Sequence, residues 1–365
     1  MQIQTPSLLL DEGRARRNIA RMADKAKNSN VRFRPHFKTH QSADIGQWFK
    51  EAGVDTITVS SVDMALYFAN HGWKDITIAF PTNPLEIDKI NELASCITLN
   101  LLVESEDIVR YLEENLGFYL NVWIKVDVGY GRTGIPWDSA RLLRVANAIK
   151  QSEQLNLQGL LTHAGHTYNF NTKEHVKALY SDYLSKLTSA KDQLWEAGFE
   201  TLELSIGDTP SCSVMNDFDG VDEIRPGNFV FYDLTQLKIG VCDEEDISLA
   251  VACPVVAKHE ERSDVVVYGG AVHLSKDFVT DQKGIKYYGA VCRPKSDGTW
   301  GPMLPDCYVS SLSQEHGIVH LDEKTFKDIN LGDLLVIVPA HSCLTVNLLK
   351  KFLTSTNQKA FAANI

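Results

Sequence analysis

Hydrophobic and polar positions follow two alternating patterns along the first two-thirds of the chain. Short runs rich in β-branched residues are each followed by a stretch in which apolar residues have helical spacing. The runs predict eight strands: Val31–Lys38, Asp55–Ser60, Asp75–Phe80, Ile97–Val103, Tyr119–Asp127, Leu157–His163, Thr201–Ile206 and Val221–Arg225. Strands that alternate with helices are expected to be parallel, and eight of them close a (β/α)8 barrel. We therefore predict an α/β fold with a TIM-type barrel over residues 11–235. A doubly wound open sheet is disfavoured, because no Gly-x-Gly-x-x-Gly motif follows the first strand.

The alternation of strands and helices ends near Asp233. Strand-like runs separated by turn signals follow: Ile247–Lys258, Asp264–His273, Tyr287–Arg293, Asp306–Ser311, Gly317–Leu321 and Leu334–Val338. Such runs without intervening helices predict a second, all-β domain over residues 236–365. The extended N-terminal segment, residues 1–10, is expected to join this domain.

Composition and charge restrict the partners that the protein can have. The chain has 365 residues, of which 44% are hydrophobic and 23% charged, as in ordinary globular proteins. The net charge of -11 argues against nucleic acid as a partner, since phosphate binding needs a basic surface. No run approaches the roughly 20 apolar residues that a membrane span needs. Seven scattered cysteines without a Cys-x-x-Cys pair indicate reduced thiols, and we expect a cytoplasmic protein.

A lysine near the end of the first predicted strand is the first candidate for chemistry. If this strand is regular, four basic side chains lean to one side: Arg34, His36, Lys38 and His40. Cationic neighbours disfavour the charged form of a lysine. The neutral amine is a nucleophile that can form a Schiff base with an aldehyde. The alternative interpretation is a basic, solvated strand end.

The loops after strands 7 and 8 predict a phosphate site. Thr209 followed by Pro210 is typical of a helix N-cap with proline at the first helical position. Gly207 and Gly227 would let the backbone approach a ligand closely. Barrels often bind phosphate through these two loops, at a helix N-terminus. The alternative is a pair of ordinary glycine turns.

Two further side chains lie at the same end of the predicted barrel. Arg132 follows strand 5 in a glycine-rich loop, where it can reach a ligand or remain solvated. His163 ends strand 6 and can stack on a flat ring, act as a base or serve the structure alone.

The β domain contains a candidate metal site at Pro339-Ala340-His341-Ser342-Cys343. If this segment is extended, His341 and Cys343 share a face. Imidazole and thiolate are zinc-type ligands, and two protein ligands leave positions open for water or substrate. A buried cysteine beside a histidine is the plainer alternative.

Taken in order, these motifs resemble those of one enzyme family. They are similar to the D-serine dehydratase and D-threonine aldolase branch of the fold-type III pyridoxal-phosphate enzymes, the alanine racemase-like barrels. The resemblance covers essentially the whole chain. It is carried by Thr5-Pro6 with Pro35-His36-Phe37-Lys38-Thr39-His40, His163-Ala164-Gly165-His166 with Tyr168, Gly207-Asp208-Thr209-Pro210, Arg225-Pro226-Gly227-Asn228 with Tyr232, and Pro339-Ala340-His341-Ser342-Cys343.

The resemblance implies roles for these residues. Lys38 would be the catalytic lysine that carries pyridoxal 5'-phosphate as a Schiff base. His341 and Cys343 would hold a divalent metal, and the soft thiolate favours zinc. A head-to-tail homodimer is also implied, with each active site near the β domain of the other chain. The predicted cofactor site comprises Lys38, Arg132, His163, Tyr168, Gly207, Thr209, Gly227 and Asn228.

The resemblance further implies a lyase that acts on β-hydroxy-D-amino acids. If the hydroxyl group leaves after loss of the α-proton, D-serine gives pyruvate and ammonia. If the Cα–Cβ bond breaks instead, a retro-aldol reaction gives glycine and an aldehyde. Within the family a His-x-Cys pair is similar to D-serine dehydratases, whereas His-x-Asp is closer to D-threonine aldolases. We therefore expect D-serine dehydratase-like activity and keep D-threonine aldolase-like cleavage as the alternative.

Two other activities are less compatible with the chain. An amino-acid racemase needs a second base on the opposite face of the substrate and no metal. A non-catalytic protein that only binds pyridoxal phosphate would resemble the single-domain barrels, which lack the β domain.

Overall fold

The computed structural model describes residues 3–354 and 360–362. Within these residues the strands are β1 (Ser7–Leu10), β2 (Arg32–Phe33), β3 (Thr56–Val59), β4 (Asp75–Pro81), β5 (Thr98–Val103), β6 (Leu120–Asp127), β7 (Ile135–Pro136), β8 (Leu155–Leu161), β9 (Glu203–Ile206), β10 (Glu223–Ile224), β11 (Leu249–His259), β12 (Asp264–Tyr268), β13 (Val279–Thr280), β14 (Lys286–Tyr287), β15 (Gly289–Pro294), β16 (Trp300–Leu312), β17 (His316–His320), β18 (Leu334–Pro339), β19 (Lys351–Thr354) and β20 (Ala360–Ala362). The helices are α1 (Glu12–Asn28), α2 (Ala43–Glu51), α3 (Val62–Asn70), α4 (Ile87–Ala94), α5 (Glu106–Asn115), α6 (Arg141–Lys150), α7 (Lys173–Glu196), α8 (Thr209–Val214), α9 (Leu234–Ile239), α10 (Ala271–Leu274), α11 (Glu323–Asp328) and α12 (Ser342–Leu349).

The chain divides into two compact units. The barrel unit takes in Arg21–Lys38 and Gly46–Gly227. The β unit takes in Thr39–Ile45 and, of the described residues, 3–20, 228–354 and 360–362. The domain boundaries predicted at residues 10/11 and 235/236 stay a prediction, and residues 1–2, 355–359 and 363–365 of the predicted β domain lie outside the described residues.

The barrel unit contains a parallel sheet in the strand order β2-β10-β9-β8-β6-β5-β4-β3. The two ends of this order meet, because His36, after β2, bridges to Thr58 in β3, and the amide of Thr58 donates to the carbonyl of Pro35 at 2.9 Å. Each predicted strand corresponds to one of these eight. The predicted (β/α)8 barrel is therefore confirmed.

Local sequence accounts for the alternation of strands and helices in the barrel unit. All four residues of β3, Thr-Ile-Thr-Val, are buried, as expected for a parallel strand covered on both faces. Three helices begin at hydroxyl N-caps whose side chains accept a backbone N–H of the first turn: Ser61, Ser105 and Thr172. Leu102, Trp123 and Leu161, from three strands, pack together as a buried cluster.

The β unit contains a sheet in the order β12-β17-β16-β15-β18-β11-β1-β19-β20. Strand β11 also pairs with β12, which closes six antiparallel strands into a barrel. The N-terminal strand β1 pairs antiparallel with β11 and parallel with β19. The predicted strand Asp264–His273 ends early, at Tyr268, where Gly269 and Gly270 precede α10.

No helix in the described part of the chain is long and apolar enough to cross a membrane.

Candidate functional site

Lys38 lies in a short 3-10 helix, Phe37–Thr39, and not at the end of a regular strand. Strand β2 contains only Arg32 and Phe33. One reason is Pro35, which has no N–H to donate to a strand ladder. The ring of Phe37 is fully buried and packs against the three rings of Phe49, Phe68 and Trp73, whereas Lys38 is exposed. The buried ring therefore anchors the turn that presents the lysine.

The predicted row of four basic side chains beside Lys38 is wrong. Arg34 is buried, and its guanidinium donates to Glu223 Oε2 at 2.6 Å and to Asp75 Oδ1 at 2.6 Å. His40 is fully buried, accepts a hydrogen bond from the Ser42 amide at 3.1 Å, and burial lowers its pKa to about 3. Neither side chain acts as a cation next to the lysine. The regular alternation on which the prediction depended stops at Phe33.

Two neutral imidazoles lie within electrostatic range of Lys38. Burial lowers the pKa of His36 well below its usual value, and the charge of Lys38 lowers it further. Burial also lowers the pKa of His163, with the charges of Lys125 and Lys38 acting in the same direction. His36 Nδ1 accepts the amide N–H of Lys38 at 3.4 Å. His163 Nδ1 donates to the carbonyl of Gly207, which leaves Nε2 with its lone pair.

The loop after β6 is shaped by one carboxylate. Asp127 Oδ1 accepts the backbone N–H groups of Gly129, Tyr130 and Gly131 at distances of 3.0, 2.9 and 3.1 Å. The two glycines have φ angles of 115° and 74°, which residues with a Cβ rarely adopt. This turn carries Arg132. The side chain of Arg132 is exposed, as expected if it remains solvated.

Tyr130, which sequence reasoning missed, is the centre of a stack. Its ring lies nearly parallel to that of His166, with centroids 5.8 Å apart, and meets the edge of His163 at 6.3 Å. The guanidinium of Arg132 lies over the same ring at 5.3 Å. Gly165 is the one signal that the sequence offers, because a Cβ there would come within 2.4 Å of the Tyr130 ring.

The predicted phosphate helix is present as α8, but its N-cap is Asp208 and not Thr209. Asp208 Oδ1 accepts the amide of Ser211 at 2.7 Å, and Pro210 takes the second helical position. An aspartate is as good an N-cap as a threonine, so the pattern alone could not separate the two. Thr209 Oγ1 is consequently not used for capping; it is buried and finds no hydrogen-bond partner among the described residues.

The surroundings of Thr209 fit the phosphate of a bound cofactor. The Thr209 amide donates to the hydroxyl of Tyr168 at 3.3 Å, which brings these two predicted cofactor residues together. A phosphate oxygen would satisfy the buried Thr209 hydroxyl, since an unpaired buried polar group is costly. Gly207 also has a packing reason to be glycine, because a Cβ there would lie 2.8 Å from the Cβ of Arg225. Gly227 is half-buried, directly before Asn228.

The side-chain amide nitrogen of Asn228 donates hydrogen bonds to other residues of the β unit. Nδ2 donates to Asp233 Oδ2 at 2.7 Å and to Ser342 Oγ at 3.0 Å. Phosphate oxygens need donors, and the remaining side-chain atom, Oδ1, is an acceptor. A contact of Asn228 with phosphate would therefore come from its backbone. Asp233, which sequence reasoning missed, also accepts the amide of Ser342 at 3.0 Å and thereby holds the first turn of α12.

His341 and Cys343 come together by a route different from the predicted one. His341 is the extended N-cap residue of α12, and Cys343 lies in the first turn of that helix. The two side chains are nevertheless electrostatically coupled, since Cys343 is one of the groups that raise the pKa of His341. Burial lowers the pKa of His341, but hydrogen bonds to Asp277 and Cys343 outweigh burial and raise it to about 11.

The chemistry of this pair fits a divalent metal such as zinc. An imidazole nitrogen and a thiol sulfur are typical zinc ligands. The described residues contain no group of three or more His, Cys, Asp or Glu side chains arranged to hold a metal, so the protein would supply two ligands. The Cys343 sulfur also lies 3.6 Å from Thr39 Oγ1 and 3.7 Å from Asn228 Nδ2.

Comparison with known proteins gives the family. Residues 10–234 match the alanine racemase N-terminal domain family. The chain belongs to this family. Residues 248–355 match the serine dehydratase domain, which is found here directly after the alanine racemase N-terminal domain.

Individual relatives extend over nearly the whole chain. D-threo-3-hydroxyaspartate dehydratase of Delftia sp. (strain HT23) is 32% identical over 94% of this chain and 92% of its own. D-serine dehydratase of Dictyostelium discoideum is 28% identical over 96% of this chain and 93% of its own. A solved D-threo-3-hydroxyaspartate dehydratase, a cysteine-to-alanine mutant in the metal-free form, superimposes with a TM-score of 0.90 at 29% identity over 99% of this chain and 97% of that chain.

These comparisons confirm the predicted relationship to fold-type III pyridoxal-phosphate enzymes of the D-serine dehydratase and D-threonine aldolase kind. They also confirm the predicted enzyme class, a pyridoxal-phosphate-dependent lyase of β-hydroxy-D-amino acids. The residue roles predicted for the two candidate sites stay predictions.

Proposed function

We propose that the protein is a pyridoxal-phosphate- and zinc-dependent dehydratase that converts D-serine, or a closely related β-hydroxy-D-amino acid, to a 2-oxo acid and ammonia. The observation that carries the proposal is the placement of His341 at the N-cap of α12 and of Cys343 in the first turn of the same helix, in the β unit. A zinc ion at this pair would act as a Lewis acid on the substrate hydroxyl. Thiolate and imidazole together favour zinc over magnesium or manganese.

The barrel unit provides the residues for the cofactor. Bound pyridoxal phosphate supplies an aldehyde for amines and a ring that takes up the negative charge left at the α-carbon. The Lys38 amine would attach the cofactor and then accept the α-proton at Nζ. Thr209 and Tyr168 would hold the phosphate end. His163 is tied to the carbonyl of Gly207, two residues before Thr209, so the imidazole keeps a constant position relative to the phosphate loop.

Two contacts inside the β unit involve the predicted metal ligand Cys343. Thr39 directly follows Lys38 in the chain, and its hydroxyl contacts the Cys343 sulfur at 3.6 Å inside the β unit. Asn228, which directly follows Gly227, contacts the same sulfur at 3.7 Å. The residues next to two predicted cofactor contacts therefore both touch the predicted metal ligand.

Dehydration is favoured over retro-aldol cleavage by the thiol at position 343. The His-x-Cys pair resembles that of D-serine dehydratases, whereas a His-x-Asp pair is closer to D-threonine aldolases. The two relatives named above are both dehydratases, which supports the same choice. Among dehydratase substrates, D-serine and D-threo-3-hydroxyaspartate are the two that these relatives suggest.

Product analysis tests this proposal. The purified enzyme is incubated separately with D-serine, L-serine, D-threonine and D-threo-3-hydroxyaspartate, and 2-oxo acid, ammonia and glycine are measured. We expect 2-oxo acid and ammonia from D-serine or D-threo-3-hydroxyaspartate, and no turnover of L-serine. Lys38→Ala should abolish the activity and the visible absorbance of the lysine-bound cofactor, whereas the exposed control Lys173→Ala should leave both unchanged. Glycine as the main product, or interconversion of D- and L-serine, would contradict the proposal.

We also propose that the protein works as a homodimer in a reducing, cytoplasmic compartment. Exposed apolar side chains on the β unit support a dimer, among them Phe278, Leu344 and Leu348. The seven cysteines, all within the described residues, form no disulfide, which supports a reducing compartment. Sedimentation analysis of the purified protein tests the dimer, and a monomer at assay concentration would refute it.

A further inference from the structure

Asp277 contacts the ring of the predicted metal ligand His341. The distance from His341 Nδ1 to Asp277 Oδ2 is 2.7 Å. We propose that Asp277 is a positioning residue, which fixes His341 in the tautomer and orientation that bind a divalent cation together with Cys343. This inference rests on the proposed function, since that function makes His341 and Cys343 the metal ligands. Asp277 lies outside all the sequence motifs that predicted the two sites.

The hydrogen bond determines which ring nitrogen is available to a metal. An ionised carboxylate can only accept, so Nδ1 of His341 carries the proton in this contact. A bound cation displaces the proton of the raised-pKa ring from Nε2, because Nδ1 keeps its proton for Asp277, and Nε2 becomes the nitrogen that binds the cation. Histidine ligands in metalloproteins usually donate their other N–H to a carboxylate or carbonyl in this way. Cys343, two residues further on in the first turn of α12, provides the second donor atom.

The backbone on which Asp277 lies is held by hydrogen bonds within the β unit, while its side chain is 46% exposed. Asp277 follows α10, and its amide donates to Ser275 Oγ at 3.2 Å. The buried Thr345 in α12 has its hydroxyl 3.4 Å from the carbonyl of Leu274, at the end of α10, and 3.1 Å from the carbonyl of His341. One side chain thus ties together the two segments that carry the carboxylate and the imidazole.

A positioning role differs from that of a third metal ligand. The carboxylate of Asp277 is already engaged by Nδ1, on the opposite side of the ring from Nε2. The described residues also contain no group of three or more side chains placed to share an ion. Asp277 therefore acts on the metal through His341.

Zinc affinity measured against a chromophoric chelator tests this inference on the cofactor-loaded, metal-stripped full-length protein. Asp277→Ala should raise the zinc dissociation constant by roughly 10–100-fold, the usual effect of losing a carboxylate behind a histidine ligand. Asp277→Asn should raise it less, because an amide oxygen still accepts the Nδ1 proton. Asp306→Asn, which alters an exposed carboxylate of the same unit, should have no effect. Thermal unfolding of the metal-free variants checks that they fold like the wild type.

A cobalt-substituted enzyme separates positioning from ligation. At saturating cobalt, Asp277→Ala should keep the absorption bands of wild-type cobalt coordination, whereas Cys343→Ala should lose the sulfur-to-metal band. Altered coordination bands in Asp277→Ala would make Asp277 a ligand and overturn the inference. Wild-type zinc affinity in Asp277→Ala, together with loss of binding in His341→Ala, would overturn it while leaving the proposed function intact. If the wild type binds no zinc, both the inference and the metal-dependent function are refuted.

Discussion

The carboxyl group of Asp208 should make the stability of the protein fall as the pH rises from about 4 to about 6. Asp208 is buried and caps α8, with Oδ1 accepting from Ser211 and from Thr167 Oγ1 at 2.7 and 3.0 Å. Burial raises the pKa of this carboxyl to about 6, although the hydrogen bonds from Ser211 and Thr167 act in the opposite direction. The informative change is Asp208→Asn, because asparagine is also a good N-cap but carries no titrating proton.

The size of the effect follows from the pKa in the folded and unfolded chain. The unfolded value is 3.8 and the folded value about 6. Between these values the folded protein binds more protons than the unfolded protein, so the contribution of Asp208 to stability falls as the pH rises. That contribution is fully present below pH 3.8 and lost above pH 6. With ~1.4 kcal/mol for each pKa unit, the wild type loses about 3 kcal/mol relative to Asp208→Asn across this window.

Urea unfolding of the cofactor-free protein at a series of pH values measures this difference. The difference in unfolding free energy between wild type and Asp208→Asn should change by about 3 kcal/mol between pH 3.5 and pH 7, in favour of the variant at the higher pH. Asp219→Asn, which alters an exposed carboxyl in the same unit, serves as the control and should run parallel to the wild type. Parallel profiles for wild type and Asp208→Asn would refute the reasoning.

Other changes test the remaining parts of the structure. Glu223→Gln removes a fully buried charge that pairs with two arginines, so urea unfolding should show a loss of about 3–5 kcal/mol, and a loss below 1 kcal/mol would contradict the ion-pair interpretation. Thr209→Val removes a buried hydroxyl without a partner among the described residues, so the cofactor-free protein should keep its stability. Its affinity in a spectroscopic titration with pyridoxal phosphate should nevertheless fall roughly 10-fold or more, as for a lost hydrogen bond to a charged group. Gly165→Ala places a Cβ against the Tyr130 ring and should change tyrosine fluorescence and lower stability by about 1–3 kcal/mol, whereas unchanged fluorescence would show that the ring is not held there.

The fold could be predicted because its signals are local and repeated. Each of the eight barrel strands shows a short β-branched or apolar run, and a single wrong boundary does not alter the count. The strand around Arg34 is the exception. Its sequence has the pattern of a long strand, yet the partners that turn its arginine away, Asp75 and Glu223, lie 41 and 189 residues further along the chain. A local sequence pattern cannot reveal ion pairs between residues that lie so far apart in the chain.

The candidate residues could be predicted because side chains suited to catalysis or binding collect at strand ends. The contacts of these residues could not be predicted from the sequence. Thr209 was assigned the capping role that Asp208 performs, since both residue types cap helices and both precede Pro210. The error matters for function, because it is the uncapped hydroxyl of Thr209 that remains for a ligand. The helix was therefore predicted at the right place, with the wrong residue as its N-cap.

The predicted metal ligands, His341 and Cys343, are a second case in which the residues could be predicted but their contacts could not. An extended segment was predicted to put His341 and Cys343 on one face, yet the chain turns into α12 between them. Both residues still lie at the same helix end, His341 as the N-cap and Cys343 in the first turn. The sequence could single out these two candidate ligands from their spacing. It could not name Asp277, 64 residues away, whose contact with His341 depends on how α10 packs beside α12. Residues that touch a ligand are thus readable from motifs, whereas residues that orient them become visible only once the chain is folded.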